Sequence, residues 1–202
     1  MTRDDFAETT GFSQSLMVRL DIYLERLVRW QAKINLVGAK TLDDPWRRHF
    51  LDSVQMFDHL ADFGTVADFG SGAGFPGLVL AILAGNATVH LIESDQRKAV
   101  FLAEINRQTF AGARVHNTRI EACGGLYANV VTARACAPLS KLLVYAEPVL
   151  APGGRCLFLK GRSWREELTE AEKQWNICCE TIPSQSDDEG VILKLNGISR
   201  RG

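Results

Sequence analysis

The sequence has no C-x-x-C pair, no apolar run of membrane-spanning length, no excess of either charge, and no internal repeat or low-complexity segment. Each absence removes a class of protein. The five cysteines, Cys123, Cys136, Cys156, Cys178 and Cys179, sit mostly inside apolar runs, where a thiol behaves as a small buried hydrophobe. A metal cluster or a disulfide framework is therefore not expected. Without a long apolar run there is no spanning helix, and the N-terminus M-T-R-D-D-F-A-E-T-T lacks the apolar core of a signal peptide. A cytoplasmic protein away from the membrane is expected. The net charge of −1 gives no global attraction to polyanions, so any nucleic-acid surface must be a local patch. No heptad or exposed-edge pattern demands a dimer, and a monomer is expected.

What is present is enough hydrophobic residue, 46% of 202 positions, for a full core in one globular domain, with no room for a second substrate domain. The chain is organised around residues 66–77, V-A-D-F-G-S-G-A-G-F-P-G. Apolar residues run into Gly70, Gly72 and Gly74 at alternate positions, then Pro76, Gly77 and another apolar run. This pattern predicts a strand that turns tightly into a helix, with Pro76 in the first helical turn. Glycines there allow close backbone approach to a ligand, and the helix start offers unpaired N–H donors.

Upstream, Leu16, Leu20, Tyr23, Leu24, Leu27 and Val28 recur at helical spacing over 13–34, so an amphipathic helix is expected. A second helix is expected near Asp43-Asp44-Pro45, with Trp46, Phe50, Val54 and Phe57 as its buried stripe. Residues 1–60 thus read as a helical extension packed on the domain formed by 61–202. There, β-rich runs at 65–69, 88–92, 114–117, 130–133 and 155–159 alternate with helical segments at 77–83, 96–110 and 139–150. That alternation is the signature of stacked βαβ units and a parallel sheet. Ser163-Trp164-Arg165-Glu166 reads as a capping box opening a helix to about 174. Two final β-rich runs, 175–182 and 191–195, are close enough in sequence for an antiparallel hairpin. The tail from Ser199 is expected to fray. The fold class is therefore α/β, Rossmann-like, with a mostly parallel seven-stranded sheet, a C-terminal antiparallel hairpin and an N-terminal helical extension.

Gly72, Gly74 and Gly77 satisfy a dinucleotide fingerprint, with Glu93 as the following acid. Two features favour S-adenosylmethionine over NAD. Asp68 stands just before the glycines, where a carboxylate would repel a pyrophosphate but could serve an ammonium group, and the sheet ends in a hairpin rather than a second mononucleotide half. Glu93 suits the ribose hydroxyls of either cofactor.

D-F-G-S-G-A-G-F-P-G resembles the first motif of class I methyltransferases, and more narrowly that of the RsmG (GidB) family. Further matches are Asn35-Leu36, His49-Phe50-Leu51-Asp52-Ser53, Glu93-Ser94 with Lys98, Phe101 and Leu102, Arg119-Ile120-Glu121, Arg134-Ala135, Ala137-Pro138-Leu139 and Leu159-Lys160-Gly161. They cover roughly 30–161 in the family's order; Val37 departs from the family's usual Thr, and the hairpin is poorly patterned. The resemblance implies transfer of a methyl group from S-adenosylmethionine to nitrogen 7 of a guanine in 16S rRNA of the small ribosomal subunit, near the decoding centre. It implies that Asp68, Gly70, Ser71, Gly72, Gly74, Phe75 and Glu93 hold the cofactor, that Ile120 and Glu121 line its adenine, and that Arg134 stands at the reaction face. His49 and Asp52, three apart on one helical face, would position substrate, with Asn35 capping a helix or touching substrate. No metal is implied.

Each residue also has a plainer reading. Glu121 also reads as an ordinary helix-start acid, Phe75 as core, and His49 with Asp52 as a solvated helix face. For RNA the candidate contacts are Arg47, Arg48, Lys98, Arg119, Arg134, Lys160, Arg162 and Arg165, with Arg134, Lys160 and Arg162 expected to grip phosphates. The tryptophans, Trp30, Trp46, Trp164 and Trp175, read mostly as core. A methyltransferase for a small molecule or protein, and a non-catalytic binding module, remain alternatives; NAD chemistry comes last, since no Tyr-Lys or His-Asp constellation accompanies the loop.

Overall fold

The structure, a computed structural model, describes residues 1–60, 64–85 and 87–202. Its centre is a seven-stranded sheet in the order β3-β2-β1-β4-β5-β7-β6. The strands are β1 (Thr65–Phe69), β2 (Thr88–Glu93), β3 (Arg114–Asn117), β4 (Ala128–Arg134), β5 (Leu150–Lys160), β6 (Trp175–Pro183) and β7 (Val191–Arg200). The first five run parallel, and β7 lies antiparallel between β5 and β6. This is the expected Rossmann-like arrangement of five parallel strands closed by a hairpin. Chain order reverses between β1 and β4, and open α/β sheets bind ligands at the carboxyl ends of strands flanking such a reversal.

Side chains alternate across the pleat and split the core in two. Val66, Leu91, Val130, Leu157 and Ile192 face one layer, with α4 (Gly77–Ala84) and α5 (Gln96–Gln108). Phe69, Val131, Cys156, Phe158 and Leu193 face the other, with α6 (Leu139–Ala146) and α7 (Trp164–Glu172). The N-terminal helices join the first layer. In α2 (Gln14–Gln31) Met17, Leu20, Tyr23 and Leu27 are buried, and Ser13 caps its start by accepting the Leu16 N–H. The division expected after residue 60 falls at 61–63, outside the described residues.

Several local expectations fail for identifiable reasons. A first helix, α1 (Arg3–Thr10), precedes the expected one. Thr2 and Asp5 form a reciprocal capping box, Gly11 closes it at φ 65°, and Phe6 supplies a buried anchor. The second expected helix is short: a π-helical turn, Trp46–Leu51, runs into α3 (Asp52–Val54). The helix read over 139–150 ends at Ala146, because the chain turns and Leu150 pairs with Ala128 in β5. No capping box forms at Ser163, whose hydroxyl caps no backbone N–H and instead meets Glu167. Glu167, which takes the Ser163 hydroxyl in place of the expected Glu166 pairing, is itself anchored by Lys160 and the Leu139 N–H at the start of α6. The tail does not fray at Ser199. Ser199 and Arg200 pair with Asn176 and Trp175, the Arg201 N–H reaches the Gln174 carbonyl, and Arg200 stacks on Trp175 and bonds Glu147.

Candidate active site

The glycine loop leaves β1 at the point where strand order reverses. Gly70, Gly72 and Gly74 have φ of 61°, 55° and 91°, in the left-handed region where a β-carbon is unfavourable. Gly74 also lies so close to the Tyr23 hydroxyl and Leu78 that a β-carbon would collide with both. The Tyr23 hydroxyl donates to the Ala73 carbonyl, so α2 holds the loop from behind. On the other side Glu93, at the end of β2, accepts the N–H groups of Gly72 at 2.9 Å and Asp95 at 2.7 Å. A carboxylate offers about four acceptor positions. Glu93 thus anchors the loop and keeps acceptors in hand for hydroxyl groups.

Asp68 is fully buried behind this loop. Its Oδ1 accepts the Thr132 hydroxyl at 2.7 Å, while Oδ2 lies against the Gly77 backbone without a hydrogen-bond partner. Burial lifts its pKa to about 6, with the Thr132 hydrogen bond pulling the other way. An orphaned buried carboxyl oxygen below a glycine turn suits a cofactor carrying an ammonium group better than one carrying a pyrophosphate.

Across the loop stands a charged cluster built by the π-helical turn, α3 and the end of β4. Arg134 Nη1 donates to Asp52 Oδ2 at 2.9 Å and to the Arg48 carbonyl at 3.1 Å, and Nη2 meets His49 Nδ1 at 3.2 Å. Guanidinium is a donor only, so Nδ1 of His49 must accept, which puts the imidazole proton on Nε2. Nε2 then donates to Thr41 Oγ1 at 2.7 Å, and Thr41 donates to the Gly38 carbonyl at 2.6 Å. One tautomer is fixed along the whole chain. Burial, then the positive charges of Arg134 and Arg48, depress the His49 pKa to about 3. His49 is neutral at physiological pH and is committed to hydrogen bonds on both nitrogens, so it is no general base.

Phe75, from the glycine loop, ties the two halves together. It stacks on His49 at 4.9 Å and on Tyr23 at 5.1 Å, and the Arg134 guanidinium lies 5.1 Å from its ring centre. Such ring pairs contribute about 0.5–1.5 kcal/mol each beyond burial. Phe75 is buried, as the core reading expects, and it also lines the cavity described below.

The C-terminal hairpin turn completes the cluster. Ser186 donates to Asp52 Oδ1 at 2.6 Å, Gln55 bonds Asp52 and Ser184 and accepts the Gln185 N–H, and Arg48 pairs with Asp187 at 3.1 Å. Residues from both ends of the chain therefore meet beside Arg134. They surround an open cavity of about 1210 Å³ whose lining includes Asn35, His49, Asp52, Gly70, Ser71, Gly72, Phe75, Arg134, Cys136 and Lys160. That volume exceeds the usual range for a single small ligand.

Most of the sequence-derived site residues come together here, but not all. His49 with Asp52 is not a solvated face: both turn inward. Asn35 is exposed at the cavity rim and accepts from Gln31, so it caps no second helix. Glu93, Ile120 and Glu121 lie outside the cavity lining, near the ends of β2 and β3, with Glu121 exposed and bonded to the Tyr145 hydroxyl. Lys160 does not present a loose ammonium to phosphates, because its Nζ is held by Glu167 at 2.6 Å and the Ala137 carbonyl at 2.8 Å. Arg119, Arg162 and Arg165 are exposed, and Arg165 stacks on Trp164. Of the tryptophans, Trp46 and Trp175 are buried and Trp30 packs edge-on against Phe101. Sequence reasoning missed Thr41, Gln55, Glu167 and Ser186. The polar run after Pro183 was the available signal for Ser186.

Comparison with known proteins gives a consistent picture. The family model described as GidB, rRNA small subunit methyltransferase G, matches residues 17–189. Ribosomal RNA small subunit methyltransferase G of Paramagnetospirillum magneticum is 50% identical, covering 99% of this chain and 98% of the relative. The protein of the same name from Rhodospirillum rubrum is 49% identical, covering 99% and 100%. Among solved structures, a SAM-dependent methyltransferase from Aquifex aeolicus superposes with a TM-score of 0.62 at 15% identity, covering 78% of this chain and 95% of that one. The last likeness is one of fold.

Proposed function

The chain belongs to the GidB family of small-subunit rRNA methyltransferases, and on that premise we propose that it methylates nitrogen 7 of a guanine in 16S rRNA, with S-adenosylmethionine as methyl donor. The observation that carries the choice of a ring nitrogen is the state of His49. A hydroxyl or amine substrate would need a base to take its proton, and the titratable groups at the reaction face are engaged otherwise. His49 is neutral with both nitrogens bonded, and Asp52 is held by Arg134, Ser186 and Gln55. Guanine N7 has a lone pair and no proton.

When bound, the cofactor supplies a methyl group activated by a sulfonium, so that N7 forms a bond to carbon as the carbon–sulfur pair returns to sulfur. The residues of this chain then have two tasks. The first is alignment, which well-ordered groups achieve without reorganisation. Arg134, fixed by Asp52, His49 and the Arg48 carbonyl, is the rigid element at that face. The second is to tolerate positive charge passing to the guanine ring. Arg134 is offset by Asp52 and Lys160 by Glu167, so neither cation confronts the base uncompensated. Gly70, Ser71, Gly72, Gly74 and Glu93 hold the cofactor, with Ile120 and Glu121 toward its adenine. Residues 1–60 contribute the substrate-facing groups Asn35, His49 and Asp52, and residues 61–202 the cofactor side. The enzyme works in the cytoplasm, where small subunits are assembled.

The test is methyl transfer from labelled S-adenosylmethionine to small subunits prepared from a strain lacking this enzyme, followed by digestion to nucleosides. The expected product is 7-methylguanosine. Any other methylated nucleoside overturns the reading.

A further inference from the structure

Guanine and adenine both carry a lone pair at N7, so a site that merely aligns N7 would not distinguish them. Their difference on that edge is at position 6: guanine offers an O6 acceptor, adenine an N6 amino donor. Because N7 must be left bare to receive the methyl group, the edge is read through position 6. The reader must therefore be a hydrogen-bond donor that cannot accept.

Lys160 meets this description. It ends β5 at the carboxyl edge of the sheet, where its neighbour Leu159 pairs with Arg134 across the β4–β5 register, and it lines the cavity. An ammonium has three N–H donors and no acceptor. Two are taken, by the Ala137 carbonyl at 2.8 Å and Glu167 Oε2 at 2.6 Å, which pin Nζ in place and leave one. Of the other cations lining the cavity, Arg134 is paired with Asp52 and Arg48 with Asp187, while Lys98 stands on α5 on the other side of the glycine loop from β5. We infer that Lys160 is a specificity-determining residue that selects guanine by donating its third N–H to O6. The inference rests on the guanine-N7 reading above.

Glu167 gains a purpose on this reading. A bare ammonium beside a base that is becoming positive would oppose methyl transfer, whereas an ammonium paired at 2.6 Å offers a donor with no net charge. Glu167 is itself held in place by the Leu139 N–H at the start of α6. Burial tends to raise its pKa, yet the bonds from Lys160 and Leu139 outweigh burial and keep the carboxyl ionised.

The experiment uses the full-length enzyme and small subunits reconstituted with ligated rRNA in which the target nucleoside is guanosine, inosine or 2-aminopurine riboside. All three keep N7; the last lacks O6. Single-turnover rates of the wild type are expected to be similar for guanosine and inosine and roughly a hundredfold lower for 2-aminopurine, the scale of one charge-assisted hydrogen bond. A wild type that treats all three alike overturns the inference whatever the variants do. Lys160→Met paired with Glu167→Gln, which leaves no buried charge unpaired, is expected to bring the guanosine to 2-aminopurine ratio within about threefold of one. Lys160→Gln, which keeps a donor, should restore part of it. An unchanged ratio in the double variant, with cofactor affinity and melting temperature close to wild type, would overturn the assignment. Glu167→Gln alone should slow transfer while the ratio stays high. Failure of the wild type to methylate guanosine subunits at all would instead sink the parent reading and this one with it.

Discussion

Lowering the pH from 7 to 5 should destabilise this protein through His49, and the structure sets the size of the effect. In the unfolded chain His49 titrates near 6.5, whereas in the fold its pKa lies at about 3. The unfolded state therefore binds a proton in the window between these values that the folded state does not. The contribution is intact above pH 6.5 and is lost as pH falls toward 3. At 1.36 kcal/mol per unit, the loss between pH 7 and pH 5 is about 2 kcal/mol. Asp68 acts in the opposite sense over the same range. Its folded pKa of about 6 lies above the unfolded value, so the fold takes up a proton first and gains about 1 kcal/mol as pH falls. The wild type alone would thus show a shallow, mixed slope, and the measurement that isolates His49 is a difference. His49→Asn keeps an acceptor facing Arg134 but cannot titrate. Urea unfolding of both proteins at pH 7 and pH 5 should show the gap between them change by about 2 kcal/mol in favour of the variant at low pH. Equal pH dependence in the two proteins would refute both the neutral tautomer and the hydrogen-bond order derived from it.

Three further outcomes follow from named contacts. Gly74→Ala places a β-carbon at φ 91° against the Tyr23 hydroxyl and Leu78, so it should cost about 2 kcal/mol or more in urea unfolding and weaken S-adenosylmethionine binding in calorimetry. Arg134→Lys keeps the charge, but a compact ammonium does not span Asp52, His49 and the Arg48 carbonyl together; single-turnover methyl transfer should fall by roughly a hundredfold, and a fall of less than about threefold would remove Arg134 from the positioning role. Ser186→Ala deletes the 2.6 Å bond to Asp52 and should cost about 1–2 kcal/mol, raising KM for small subunits while leaving cofactor affinity unchanged.

The legible parts of this fold are those whose cause is local. Strand β1, the glycine turn and α4 follow from an apolar run, three alternate glycines and a second apolar run, and they form with nearly the expected bounds. The antiparallel hairpin follows from the short polar link after Pro183. Errors arose where a local signal competed with a distant partner. Ser163 and Glu166 have the spacing of a capping box, but the Ser163 hydroxyl donates to Glu167, which is anchored in turn by the Lys160 ammonium and the Leu139 N–H. Ser199 and Arg200 look like a free tail, yet β6 supplies a backbone ladder and Trp175 a ring for the guanidinium.

The reaction face shows the limit of such reading most clearly. Asp52 and Ser186 are 134 positions apart, and Arg134 reaches Asp52 over 82, so no periodicity in either segment announces the contact. The motif His49 to Ser53 does mark the right residues, but spacing alone favoured a solvated face. What turned that face inward is the π-helical turn, which presents His49 to Phe75 and Arg134, while the hairpin turn covers Asp52 from the other side. Burial, with the charges of Arg134 and Arg48 adding to it, then keeps His49 neutral, and an imidazole held this way is a poor base. A chemical conclusion about proton transfer thus depends on three chain segments that meet only in the fold. The glycine loop alone fits a dinucleotide as well as S-adenosylmethionine, and the groups proposed to face the substrate come together only once the first and last parts of the chain close around Arg134.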